Sequence, residues 1–430
     1  MLKSLRKSFQ KTPVSHRLRF AVAFVVGVAL YVFLDRIKDI NSQVIELASQ
    51  DISLNDIYYS VRSDYDSDLL GDKQVVLVNL GSKPLDSLRS TLAVLLERTW
   101  QFSPALMAVD VTFEEDKVPQ SDRLLKASLN KYHPILAKAK MGVNVFKECC
   151  DVAYINLPDA ENESIRHYYN YGVLDGQKVP SFASLIAQKK AGRAVDFNNP
   201  MFRLRYNCVE NGYFDVFDTL NSGAHRHDEL RYNFPAIEAT DLLDTGKDQQ
   251  LRLYLKGKIV IFAWMGSGFM NYEEDVSDRF KTPTDRALVN RSPIMPGAVI
   301  HAVAVEMMLN NYYYSEPTVF TQFLISIVLL VLAYLTIIVL GDWAAAAIDQ
   351  RFKKKRWLMR FLLSAIVKWS LVFVWILLLI YGAGVLLMAR GYYLEAGTLL
   401  LQFGLLLAAV SIGDEIIRTY RESKMKKQKD

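Results

Sequence analysis

Asp110, Asp278, Thr282 and His301 are the residues of this chain with most to offer a ligand. Asp110 closes the apolar run ALMAVD, and the ends of buried strands are where α/β sheets place small-ligand crevices. Two carboxyls, a hydroxyl and an imidazole gathered there could hydrogen-bond or charge-pair a small polar molecule. Each also has a structural alternative: Asp110 capping the next turn, Thr282-Pro283 forming a turn, and His301 serving as a satisfied core histidine on an apolar helix. Bond-making chemistry finds no constellation. The chain lacks a Gly-rich phosphate loop, a His-Glu-x-x-His and a nucleophile elbow, so no enzyme activity, cofactor or resident metal is expected. Asp64, Asp66, Asp68 and Asp72 miss the ligand offsets of a calcium loop and read as a solvated acidic stretch. His225 and His227 flank Arg226 without a third metal ligand that can be named, and Gly266-Ser267-Gly268 reads as a flexible loop before it reads as an anion nest. Among the cysteines, a bridge from Cys208 to either Cys149 or Cys150 is open, with one thiol left over.

The elements that must position these groups alternate. Val75–Leu80, Ala105–Phe113, His133–Met141, Ala153–Leu157, Ile165–Tyr171, Met201–Tyr206 and Ile259–Trp264 read as strands. Helices are expected at Leu85–Trp100, where Leu88, Leu92, Leu95 and Leu96 share a face, and at Leu124–Leu129, Phe182–Lys190 and Ala298–Asn310. Continuous apolar strands separated by helices indicate a sheet buried on both faces, so the domain is expected to be α/β.

Apolar runs flank this domain. Thr318–Leu340, Phe361–Ala389 and Ala396–Gly413 are each near or above the length a helix needs to cross a bilayer. Phe20–Leu34 is shorter, but Arg19 and Arg36 can snorkel to extend it, and no small-x-small cleavage site follows. Cations fill residues 1–19, the 341–360 loop and the 414–430 tail, whereas Arg390 is the one cation between the last two runs. The positive-inside rule then predicts four helical spans, at 20–37, 318–340, 361–389 and 396–413, with both termini cytoplasmic. Residues 38–316 then fall on the far side of the membrane from both termini. That segment holds 30 Lys plus Arg against 38 Asp plus Glu, a net of −8 in a chain of +5, so the basic pI is topogenic and argues against nucleic-acid binding. Lys368, near the cytoplasmic end of its run, is expected to snorkel.

From Leu255 the residues become specific. LKGKIVIFAW, DRFKTPTD and MPGAVIHAVAVEMMLNN resemble the C-terminal half of the type-two CHASE domain, an extracytoplasmic sensory module of bacterial signalling proteins. VVLVNLGSKPLDSLRSTLAVLLE looks like that family's first strand and helix, ALMAVDVTFEED like its second strand with a terminal Asp, VPSFASLIA like its Pro-Ser helix, and YNFPAIEATDLLD like its segment before the Lys-Gly-Lys strand. The resemblance covers about Asp56 to Ile412 and implies a sensory domain followed by three spans. Two departures stand out: Leu80–Ser87 lacks the family's Trp-rich motif, and about 17 residues follow Gly413, too few for an output enzyme of even about 40 residues.

The expectation is a receptor-like membrane protein that detects an outer signal and passes it through its spans to a cytoplasmic or membrane partner in trans. The basic Lys353, Lys354 and Lys355 would be the docking surface. A small ligand or an envelope protein outside and membrane lipids complete the expected partners, with homo-oligomerisation left open. The competing reading is a scaffold subunit of an envelope complex that senses nothing.

Overall fold

The computed structural model describes residues 73–81, 85–115, 118–140, 144–158, 164–174, 176–206, 208, 212–217, 233–266, 278–283 and 295–315, together with positions 321, 328 and 391. The chain divides into two compact units, Asn55–Tyr314 and a second made of Met1–Leu54 with Ser315–Asp430. The first carries the fold described here. The anchor, the acidic stretch at Asp64–Asp72, His225 and His227, the three C-terminal apolar runs and Lys353–Lys355 lie outside the described residues. Among the described residues no helix is long and apolar enough to cross a membrane.

The described strands form a seven-stranded parallel sheet in the order β4-β3-β2-β11-β1-β10-β9. Its members are β1 (Val75–Asn79), β2 (Leu106–Asp110), β3 (Ile135–Lys138), β4 (Val152–Tyr154), β9 (Tyr213–Asp215), β10 (Phe234–Glu238) and β11 (Ile259–Ala263). β1 and β11 are buried along their whole length, as VVLVN and IVIFA require of strands covered on both sides.

Alternate side chains sort to the two faces. Val76, Val78, Val109, Leu136, Val260 and Phe262 share one apolar cluster with Leu88, Leu92, Leu95 and Leu96 of α1 (Leu85–Trp100) and Leu125 and Leu129 of α2 (Pro119–Tyr132). Leu242 of α4 (Ala239–Leu243) and Leu251 and Leu255 of α5 (Asp248–Leu255) complete it. Each such leucine contributes about 1.5–3 kcal/mol by leaving water. On the other face α6 (Gly297–Asn310) packs on β1 and β11, and α3 (Phe182–Ala191) packs on β2, β3 and β4.

Helix α6 sets the frame for the site. It is buried from Gly297 to Met308 with no polar face, because the sheet lies on one side of it and α3 on another. A two-stranded ribbon of β5 (His167–Tyr169) with β8 (Met201–Arg203) also reaches it, through Tyr168. The two polar residues of that buried stretch, His301 and Glu306, must therefore find partners inside the protein.

The predicted strand Ile165–Tyr171 is two strands here, β5 and β6 (Tyr171–Leu174), broken at Asn170. Asn170 turns away because its backbone N–H donates to Pro200 and its side-chain amide to Asn199. β6 returns as a hairpin through Gly176, at φ 77°, into β7 (Gln177–Pro180), and a third ribbon joins β12 (Arg279–Phe280) to β13 (Met295–Pro296). All three cysteines are free thiols. Cys149 lies shortly before β4, and Cys208 packs beside Gly212, directly before β9. Those strands are opposite margins of the sheet, six strand spacings or roughly 29 Å apart, far beyond the reach of a disulfide.

Candidate functional site

Asp110 ends β2 in register with Ala263 of β11. Its neighbour Val109 belongs to the cluster beneath α1 and α2, so the Asp110 side chain lies on the other face, toward α6. There Oδ2 comes within 4.0 Å of Nε2 of His301, with the Asp110 side chain 10% exposed. The far ring nitrogen, Nδ1, lies 2.6 Å from the Tyr168 hydroxyl, which also accepts from the backbone N–H of Ala183 in the first turn of α3. A hydroxyl that accepts from Ala183 and donates to Nδ1 leaves the imidazole proton on Nε2, facing Asp110. Phe182 and Tyr168 hold the ring edge-on, each 5.5 Å from it between centroids.

Asp278 enters from the β12–β13 ribbon. Its backbone carbonyl accepts from the N–H of Gly297, the first residue of α6. A Cβ on Gly297 would lie 2.7 and 2.9 Å from the two carboxyl oxygens of Asp278, so Gly297 is there because the carboxyl occupies the space a side chain would need. Gly297→Ala is expected to cost about 1–3 kcal/mol through that overlap. It should also displace Asp278, which a shifted pH profile of unfolding would register.

Burial governs the protonation of the set. It pushes the Asp278 carboxyl up to about 7 and drives the His301 imidazole down to about 3. Asp110 rises well above the ordinary carboxyl range through burial first and the nearby Asp278 charge second. With its imidazole lowered to about 3, His301 is uncharged at neutral pH, so the 4.0 Å contact with Asp110 is not an ion pair, although its distance alone would admit one. A buried acid held protonated can donate a hydrogen bond to a ligand, and on ionisation it can pair with a cationic one.

Of the four residues named from sequence, the structure brings Asp110, Asp278 and His301 together. Thr282 is fully buried next to Lys281, whose carbonyl accepts from Ile165 N–H. Tyr168 was not foreseen, and nothing in its surroundings of alternating aromatics marks it. Asn79 was also missed, although it ends β1 as Asp110 ends β2. Its amide donates to Glu238 Oε1 at 2.8 Å and to the Gly266 carbonyl at 3.0 Å, and its Oδ1 accepts from the N–H groups of Gly81 and Met265. All four hydrogen bonds are used, so Asn79 fastens the sheet edge and leaves nothing for a ligand. Among the described residues no three His, Cys, Asp or Glu side chains gather in metal-binding geometry.

A family model described as the CHASE2 domain matches residues 22–341. No curated protein and no solved structure matches the chain.

Proposed function

The chain belongs to the CHASE2 domain family of extracytoplasmic sensory domains, and from that membership we propose that it is a receptor-like membrane protein detecting an outer signal at the Asp110–Asp278–His301 cluster. One observation carries this reading beyond the family. Helix α6 holds His301 in the cluster at the end of the sheet where β2 finishes, and Glu306 at the opposite end, where β1 begins. One packed helix thus runs from the candidate ligand groups to the start of the central strand β1. A change in the cluster's hydrogen bonding would bear directly on that helix.

In this reading residues 38–316 lie outside the membrane. Helical spans occupy 20–37, 318–340, 361–389 and 396–413, both termini are cytoplasmic, and the protein resides in a bacterial inner membrane. The signal passes to a partner in trans that presents acidic surface to Lys353, Lys354 and Lys355, and the chain itself performs no catalysis. Reporter fusions test the arrangement. A reporter active only outside the cytoplasm is expected to work after Glu316 or near Gly391 and to fail at Lys354 or Asp430. Activity at Lys354 would overturn the four-span topology.

A further inference from the structure

We infer that the edge of the sheet at which its parallel strands begin is a membrane-docking surface that takes the headgroups of anionic phospholipid; the inference rests on the proposed membrane-spanning topology. The edge is one continuous rim. Gly257 N–H donates to the Ser103 carbonyl, Ala105 N–H to Lys258, and Ile259 N–H to Gln74, joining the turns that precede β2, β11 and β1. Lys73, ahead of β1, and Tyr312–Tyr314, after α6, lie at this rim. The apolar run from Thr318 begins only a few residues beyond.

The helices run back against the strands, so their last turns deliver side chains to the same rim. Trp100 ends α1, Lys131 lies in the last turn of α2, Lys189 in that of α3, and Arg252, Leu253 and Lys256 sit where α5 runs into β11. Trp100 is 52% and Leu253 75% exposed. Exposed Trp beside Lys and Arg is the composition of a membrane interface, where the ring sits at headgroup depth and the cations meet phosphate.

Residues 38–316 as a whole carry −8. A domain of that net charge is repelled overall by an anionic bilayer, and the basic rim is the surface that can offset the repulsion. Two of its cations have local partners, Lys131 with Glu97 at 3.6 Å and Lys189 with Asp151 at 2.7 Å. Both pairs are exposed, and such pairs are weak enough for lipid phosphate to compete.

The test uses the full chain in nanodiscs of phosphatidylcholine, with and without phosphatidylglycerol, read by amide hydrogen exchange in the turns 101–105, 131–134 and 256–258. Exchange there is expected to slow about tenfold or more in the anionic discs, from the joint attraction of several cations. The quadruple variant Lys131→Gln, Lys189→Gln, Arg252→Gln, Lys256→Gln should lose that protection with its thermal midpoint kept. In the unmodified chain the protection should fade as salt is raised, a second readout that needs no variant. Equal exchange in the two kinds of disc overturns the docking surface while the spans stand. Extraction of the chain from membranes by alkaline carbonate overturns the spanning topology itself.

Discussion

In the Asp278→Asn protein stability is expected to climb with pH between about 3 and 6.5, and in the His301→Gln protein to fall between about 4 and 7. The Asp278 carboxyl is lifted by burial from 3.8 to about 7. The folded state therefore keeps a proton that the unfolded chain has released. The stability from this group is complete below pH 3.8 and is lost as pH rises through about 7, a loss of about 4 kcal/mol at roughly 1.4 kcal/mol per pH unit. His301 works the other way. Burial lowers it from 6.5 to about 3, so its contribution is complete above 6.5 and is lost as pH falls through about 3, on the order of 5 kcal/mol. Asp110 acts in the direction of Asp278. His167, lowered to about 4 by burial and then by Arg203 and Arg166, acts in that of His301. In the unsubstituted protein the opposed slopes overlap and partly cancel. Urea unfolding across pH would expose each slope with one opponent removed, Asp110 still acting against the first and His167 against the second. Parallel profiles for all three proteins would mean that the cluster is solvated.

Glu306→Ala is expected to cost about 3–5 kcal/mol, more than the loss of its methylenes would explain. Its Oε1 accepts from the backbone N–H groups of Gln74, at 2.5 Å, and Val75, at 3.0 Å, and Oε2 accepts from the Asn310 amide at 3.1 Å. The same carboxyl is the charge that partly offsets the burial of Lys73, whose ammonium is otherwise lowered by desolvation. Alanine would leave two backbone donors at the start of the central strand without partners, and a buried lysine without its counter-charge. Glu306→Gln keeps an acceptor for those N–H groups and is expected to lose far less, about 1 kcal/mol. Denaturant midpoints of the two variants separate the causes. An equal loss in both would place the cost in charge and not in the hydrogen bonds.

The central strands were legible because burial on both faces leaves a direct trace, an uninterrupted apolar run such as VVLVN or IVIFA ending at a polar residue or a turn. Helix α1 was legible through its four leucines and α6 through its unbroken apolar length. β10 is not among the strands expected from the sequence, and its Pro235, inside FPAIE, is a residue that strand interiors rarely hold. It nonetheless lies between β1 and β9. The hairpin of β6 and β7 carried a usable signal, Asp175-Gly176, that went unread. The insertion of β11 between β1 and β2 leaves no local trace at all. The same holds for the site. Asp110 was visible as the polar end of a buried strand, whereas the hydroxyl of Tyr168 meets His301 across 133 positions of sequence and depends on the ribbon of β5 with β8 being laid over α6.

The central claim is that the cluster at the finishing end of the sheet binds the signal. It is tested most directly by thermal unfolding of the full chain in nanodiscs against a panel of small polar and cationic solutes, alongside Asp110→Asn and Asp278→Asn. A solute that binds only the folded form at about 100 times its Kd adds about 2.7 kcal/mol, so the midpoint should rise in the unsubstituted protein and stay put in both variants. An equal rise in all three, or no rise with any solute, would contradict the claim.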